Sequence, residues 1–194
     1  MNAQPQTIPQ RVTEAEYLQY CEDHLEERFE LIDGEIVAME GASRNHGIIK
    51  SNLIVLMHAH LKNSNCFVFA SAWNVRVGQN SYYPDVVVEC GTESEYVAEK
   101  PLVIVEVLAD DTRAIDLTVK VRDYQTIPTL QEYVLIEQDF THVAVYRKQE
   151  NWQRTEYICG DDVVGLESLD LSLAMADIYQ RVVFQAQRRR FLQR

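Results

Sequence analysis

The chain has 194 residues, 46% of them hydrophobic, with 30 acidic against 18 basic side chains and a net charge of −12. That length suits one domain with a sizeable core, and the composition excludes a disordered chain. No apolar run approaches the ~20 residues of a membrane span, and the acidity argues against a general nucleic-acid binder, which carries a basic face.

Residues 1–20 lack the charged-then-apolar pattern of a signal peptide, so a cytoplasmic protein is expected. "TEAEYLQYCEDHLE" begins with Thr13 and has Glu16 three residues on, a capping box opening a short helix. "RFELIDGEIVAME" is two alternating arms around Asp33-Gly34, the dipeptide of a type I′ hairpin turn. In "SRNHGIIKSNLIVLMHAHLKN", Ile48, Leu53, Ile54, Leu56, Met57 and Leu61 recur near the helical period, with Ser43 or Asn45 as the cap. His58 and His60, two apart, point to different helix faces and are structural.

Three short strands follow, "CFVFAS", "NVRVG" and "PDVVVEC", and then "PLVIVEVLA", an apolar run expected to be covered on both faces. Trp73, Tyr82 and Tyr83 flank this region, as stacking platforms for bases or as core and rim packing. "TRAIDLTVKVRDYQTI" is expected to be helical, with Ile115, Leu117, Val119 and Tyr124 inward and Pro128 past its end. "LQEYVLIEQ", "HVAVYRKQ" and "WQRTEYIC" are three further strands, and a last helix runs from about Leu173 into a basic tail, 181–194, with five arginines. That tail is either a solvated helix end complementing its own dipole or a phosphate contact. Cys21, Cys66, Cys90 and Cys159 lie far apart without a CxxC pair, so neither a zinc site nor a disulfide framework is suggested, and small buried or half-buried apolar groups are expected. The elements add up to a single α/β domain over 1–194, a mixed sheet with helices on its faces.

Two acids stand out. Asp85 directly precedes the buried run Val86-Val87-Val88, where a carboxylate is costly unless donors or a cation meet it. It either caps a turn in solvent or is aimed at a metal or substrate. Glu106 sits inside the most apolar strand, between Val105 and Val107. A buried carboxylate there raises its pKa or finds a cation, and two converging carboxylates suit a hard divalent ion such as Mg²⁺. Lys120, on the following helix, can complement the charge of a phosphate. Each has a structural alternative: Glu106 in an ion pair with Lys120 or Arg113, Lys120 as an exposed helix residue.

The order Pro-Asp, then Glu in an apolar strand, then Lys resembles the PD-(D/E)xK nuclease superfamily. Its lysine usually falls two residues after the second acid, where this chain has Leu108. From about Glu16 to Tyr179 the chain resembles the Uma2 (DUF820) family of restriction-endonuclease-like proteins, abundant in cyanobacteria. The segments "RFELIDGEIV", "SRNHGIIKSNL", "YYPDVVVE", "PLVIVEVLADDTRAIDLTVKVRDY" and "LQEYVLI" carry the likeness. Where that family usually reads Ser-Pro-Ser-Thr, this chain has Ala109-Asp110-Asp111-Thr112, whose acids either weaken phosphate binding or join a metal's outer shell.

The resemblance implies a restriction-endonuclease-like fold and hydrolysis of DNA phosphodiester bonds by a metal-activated water. Asp85 and Glu106 would then hold Mg²⁺ or Mn²⁺, Glu30 would be a third carboxylate or the ligand of a second ion, and Lys120 the electrostatic partner. His46 would contact a phosphate or accept a proton. For Glu30 the alternative is the solvent face of an edge hairpin, and for His46 a helix-start residue satisfied by backbone. A homodimer is expected by analogy with nucleases that cut two strands. The alternative function is a catalytically silent module of the same fold, in protein binding or assembly. A glycosidase with paired carboxylates fits the spacing but leaves Lys120 without a role.

Overall fold

The computed structural model describes residues 11–39, 41–71, 73–91 and 94–184; most of the basic tail lies outside them. In chain order the first elements are α1 (Glu14–Asp23), β1 (Phe29–Ile32), β2 (Glu35–Ala38), α2 (Arg44–Leu61), β3 (Cys66–Ala70), β4 (Asn74–Val77), β5 (Asn80–Tyr82), β6 (Val86–Cys90), β7 (Val97–Ala98) and β8 (Pro101–Leu108). Then come α3 (Arg113–Asp116), α4 (Val119–Tyr124), β9 (Glu132–Glu137), β10 (Val143–Arg147), β11 (Arg154–Tyr157), β12 (Val163–Leu166), β13 (Leu171–Ala174) and α5 (Met175–Ile178). The chain divides into two compact units, Met1–Glu40 with Arg76–Tyr82, and Gly41–Val75 with Tyr83–Arg194.

In the first unit Thr13 caps α1 with the reciprocal bonds of a capping box: Thr13 Oγ1 accepts the Glu16 N–H and Glu16 Oε2 accepts the Thr13 N–H. The helix buries Tyr17 beside Phe29 and Leu31, and the Tyr17 hydroxyl donates to the Phe29 carbonyl at 2.7 Å. Asp33 and Gly34 both have positive φ (50° and 85°), as the type I′ turn requires. β1 pairs with β2 and, through Leu31 and Ser81, with β5, both antiparallel.

The second unit is built on a six-stranded sheet, order β11-β10-β9-β8-β6-β3. It is antiparallel except between β8 and β9, which run parallel across the α3–α4 crossover. Alternation sorts its two faces. Val86, Val88, Val103, Val105, Val107, Val134 and Ile136 meet Ile49, Leu53, Met57 and Leu61, the buried stripe of α2. Each of those four helix side chains stabilises by about 1.5–3 kcal/mol on burial. Val87, Ile104, Glu106, Tyr133 and Leu135 alternate to the other face, where Tyr124 of α4 packs edge-on against Tyr133 at 5.0 Å.

Several expectations need correction. The helix expected over 112–127 breaks at Thr118 (φ −130°, ψ −74°) into α3 and α4. Its buried residues are Asp116, Lys120, Asp123, Tyr124 and Ile127, while Ile115, Leu117 and Val119 are half-buried. Leu173 does not begin a helix. "VVGL" and "LSLA" pair as β12 and β13, and among the described residues only the four-residue α5 follows; the expected helix's course beyond residue 184 lies outside them. Cys66 and Cys90 are joined by a disulfide, because the β3–β6 ladder sets them directly opposite with Cα atoms 3.9 Å apart. Cys159 is exposed rather than buried. No helix among the described residues is long and apolar enough to cross a membrane.

Candidate active site

β6 stops one residue short of where β8 needs a partner, and Asp85 fills that place with its side chain. Val86 pairs with Val105, so Asp85 falls opposite Glu106, and the Asp85 N–H donates to Glu106 Oε2 at 3.1 Å. Asp85 Oδ2 accepts the Val107 N–H at 2.9 Å, capping a donor that the ladder leaves over. On the other edge the Ser71 N–H donates to the Asp85 carbonyl at 3.1 Å. Asp85 is thus locked to strands on both sides by main-chain groups.

Two helices then bring side chains from opposite faces of the sheet. Ser43 caps α2, its Oγ accepting the His46 N–H at 3.2 Å, so that His46 sits in the first turn with Nε2 3.0 Å from Asp85 Oδ2. One turn later, Lys50 Nζ lies 2.9 Å from Ser71 Oγ and 3.5 Å from Asp85 Oδ1. From the other face, Lys120 Nζ lies 2.9 Å from Glu106 Oε1 and 3.0 Å from Asp116 Oδ1. The Tyr124 hydroxyl reaches the same Glu106 oxygen at 3.4 Å, and Thr112 donates to Asp116 Oδ2 at 2.9 Å.

Burial by itself would raise the Asp85 carboxyl. The hydrogen bond and charge of His46, the Val107 N–H and the charge of Lys50 outweigh it and hold the group below the ordinary carboxylate value. His46 Nδ1 is buried and, among the described residues, has no hydrogen-bond partner. Nε2, facing the Asp85 carboxylate, is the nitrogen that carries a proton to it.

The structure therefore brings together Asp85, Glu106, Lys120 and His46. Asp85 is not a solvent turn acid, and Lys120 is not an exposed helix lysine. Glu106 and Lys120 form the ion pair that was one of the readings open to them. Glu30 is on β1 of the first unit, opposite Val37 and 5% exposed, so it is not a solvent-face residue. Trp73 stacks on Phe69 at 4.0 Å and donates to Glu89, and His60 Nε2 lies 2.9 Å from the Leu169 carbonyl, both packing roles. Asp110 and Asp111 are exposed.

Sequence reasoning missed Lys50, Asp116 and Ser71. The first two had a legible signal: each lies one helical turn, i±4, from a chosen residue, His46 or Lys120. Ser71 had none, since only the β3–β6 pairing places it beside Asp85.

The donors at the strand end are carboxylate oxygens and one imidazole, a set that takes hard divalent ions. The contacts of Asp85 Oδ1 among the described residues are at 3.4 and 3.5 Å, to Ser71 and Lys50, long for charge-assisted bonds. Among the described residues, the three ligand-type side chains whose donor atoms lie within 4.8 Å of one another are Cys159, Asp161 and Asp162, on an exposed turn. There Asp162 already accepts the N–H groups of Ile158 and Cys159.

A mixed sheet with a parallel β8–β9 pair, helices on both faces and paired acids at a strand end defines the restriction-endonuclease-like fold. A solved structure described as "a putative nuclease belonging to DUF820", from Anabaena variabilis, superposes with a TM-score of 0.73 at 21% identity, over 89% of this chain and 99% of its own. The chain belongs to the Uma2 family, whose model, described as "Putative restriction endonuclease", matches residues 14–176. It is 33% identical to the uncharacterized protein slr1290 of Synechocystis sp. over 181 residues, covering 90% of this chain and 94% of that one. It is 34% identical to sll1609 of the same organism over 154 residues, 75% of this chain and 86% of the relative.

Proposed function

We propose that this protein is a divalent-metal-dependent endonuclease that hydrolyses DNA phosphodiester bonds at the Asp85–Glu106 strand end. The observation that carries this reading is two acids set side by side on adjacent strands, the Asp85 N–H donating to the Glu106 carboxylate, with a basic side chain reaching each from an opposite face. The charges fit the substrate. Setting His46 aside, the carboxylates of Asp85, Glu106 and Asp116 exceed the ammonium groups of Lys50 and Lys120 by one negative charge. One divalent ion turns that into one positive charge, the complement of a phosphodiester.

Asp85 and Glu106 are the residues that would hold Mg²⁺ or Mn²⁺. Such an ion, when bound, supplies a Lewis acid for the phosphoryl oxygen and a water of lowered pKa. The protein's own groups do the rest. The Val107 N–H and Ser71 keep Asp85 in place, Lys120 and Tyr124 fix Glu106, and His46 holds a proton at Nε2 beside the reacting phosphate, where it can be passed on. The sheet makes this rigid, which a site for in-line displacement needs.

The family relationship and the fold support the reading. One observation favours its rival, a silent module: each acid is already met by an internal basic side chain, as in a structural ion-pair network. Mn²⁺ titration calorimetry and a plasmid-nicking assay on wild type, Asp85→Ala and Glu106→Gln decide between them. We expect binding and nicking by the wild type, and neither by the two folded variants. A wild type that neither binds millimolar Mn²⁺ nor nicks DNA when Mn²⁺ is present means a silent module.

A further inference from the structure

The two lysines at the site are held in different ways. Lys120 is buried, its side chain 4% exposed, and it is clamped between Glu106 at 2.9 Å and Asp116 at 3.0 Å. Moving its ammonium toward a substrate would strip two buried carboxylates of their counter-charge, which costs more than one new contact returns. Lys50 is 22% exposed at its side chain, and its contact with Asp85 is long at 3.5 Å. Asp85 does not depend on it, since His46 and the Val107 N–H hold Oδ2. Ser71 Oγ, 2.9 Å from Nζ, steadies the ammonium beside the strand end without neutralising it.

We propose that Lys50, not Lys120, is the lysine that contacts the scissile phosphate, and that Lys120 is a positioning residue that fixes Glu106. This rests on the nuclease reading above. Were Asp85 to hold a cation, the Lys50 ammonium, on a flexible stem and 22% exposed at its side chain, would be able to turn to a non-bridging phosphate oxygen. The usual lysine two residues past the second acid is replaced by Leu108, 4% exposed and apolar, so no ammonium arrives from β8 itself. α2 delivers one instead, one turn after His46. Arg at position 50 would keep the charge and the reach, but not the point-like geometry of an ammonium.

The test has an activity arm and a chemical arm. With Mn²⁺ and an end-labelled DNA oligonucleotide, Lys50→Ala is expected to lower kcat on the order of 10²-fold, the loss typical of one transition-state donor. Lys50→Arg should restore part of it, and melting of Lys50→Ala should match the wild type. Mass-spectrometric acetylation should modify Lys50 readily, with protection by oligonucleotide plus Mn²⁺, while Lys120 stays unmodified in both conditions. If the wild type cleaves, Asp85→Ala does not, and Lys50→Ala keeps full kcat, the assignment of Lys50 fails while the nuclease reading stands. Equal acetylation of Lys50 with and without oligonucleotide also overturns it. A wild type that does not cleave removes the nuclease reading and this assignment with it.

Discussion

Buried carboxylates in the second unit fall into two kinds, and the difference lies in what meets them. Glu89 is fully buried and accepts the N–H groups of Glu99 and Lys100 and the indole of Trp73. Glu132 accepts the N–H groups of Glu167 and Ser168 and lies 3.5 Å from Arg147. Main-chain donors of this kind pin loops to the sheet, and both acids are structural. Glu106 takes one main-chain N–H, from Asp85, but its other oxygen faces Lys120 and Tyr124, side chains of α4. Lys120→Ala leaves Glu106 and Asp116 buried without a counter-charge, so urea unfolding should show a loss of about 3–5 kcal/mol. A loss below about 1 kcal/mol would mean that water reaches these acids and that Lys120 does not hold them.

At the scale of elements, the parts of the fold that were legible depend on local chemistry. Thr13 with Glu16, Asp33 with Gly34, and the α2 stripe are set by local spacing; the structure has the first two, and the third with Ile49 buried in place of the expected Ile48 and with Ile54 and Leu56 half-buried. Asp85, Glu106 and Lys120 were legible as unusual residues, but His46 and the joining of all four into one site were implied only by family likeness, because the contacts between them link residues 14 or more apart in the chain. The Cys66–Cys90 pair and the inward polar face of α3–α4 were not legible for the same reason. Periodicity says that a helix has an apolar face, but not that a buried Glu on the sheet will draw the polar one inward. The same local logic predicts opposite signs for two glycines. Gly34 has φ +85° and a Cβ there would stand 2.6 Å from Arg11 Cβ, so Gly34→Ala should cost about 1–2 kcal/mol. Gly47 lies within α2 with nothing within 4 Å, so Gly47→Ala should stabilise by roughly 0.5–1 kcal/mol. Chemical denaturation of both variants checks the pair, and a shift of the same sign in each would refute the turn geometry.

Over the whole molecule, an excess of 12 negative charges makes alkaline pH the side on which stability is exposed. Two buried tyrosines make this specific. Burial raises the Tyr133 phenol well above its ordinary value, with the charges of Glu106 and Asp116 adding to the effect. Burial also raises Tyr179, the charge of Glu137 adding to it, although the phenol oxygen accepts the His142 N–H, which works the other way. Both groups are held neutral in the fold and ionise near pH 10 once unfolded. A folded value above the unfolded one means that their contribution is fully present below pH 10. It is lost as pH climbs toward the folded value, at about 1.4 kcal/mol per unit for each tyrosine. Urea unfolding at pH 8, 10 and 11 should therefore show a steep fall beyond pH 10. Tyr179→Phe, which removes one of the two groups, should be less stable at pH 8 through its lost hydrogen bonds to the Glu137 and His142 carbonyls, yet fall less steeply above pH 10. An unchanged slope in that variant would mean that Tyr179 ionises in place without unfolding the protein. The β9–β10 connection that it ties would then be open to water rather than part of the core.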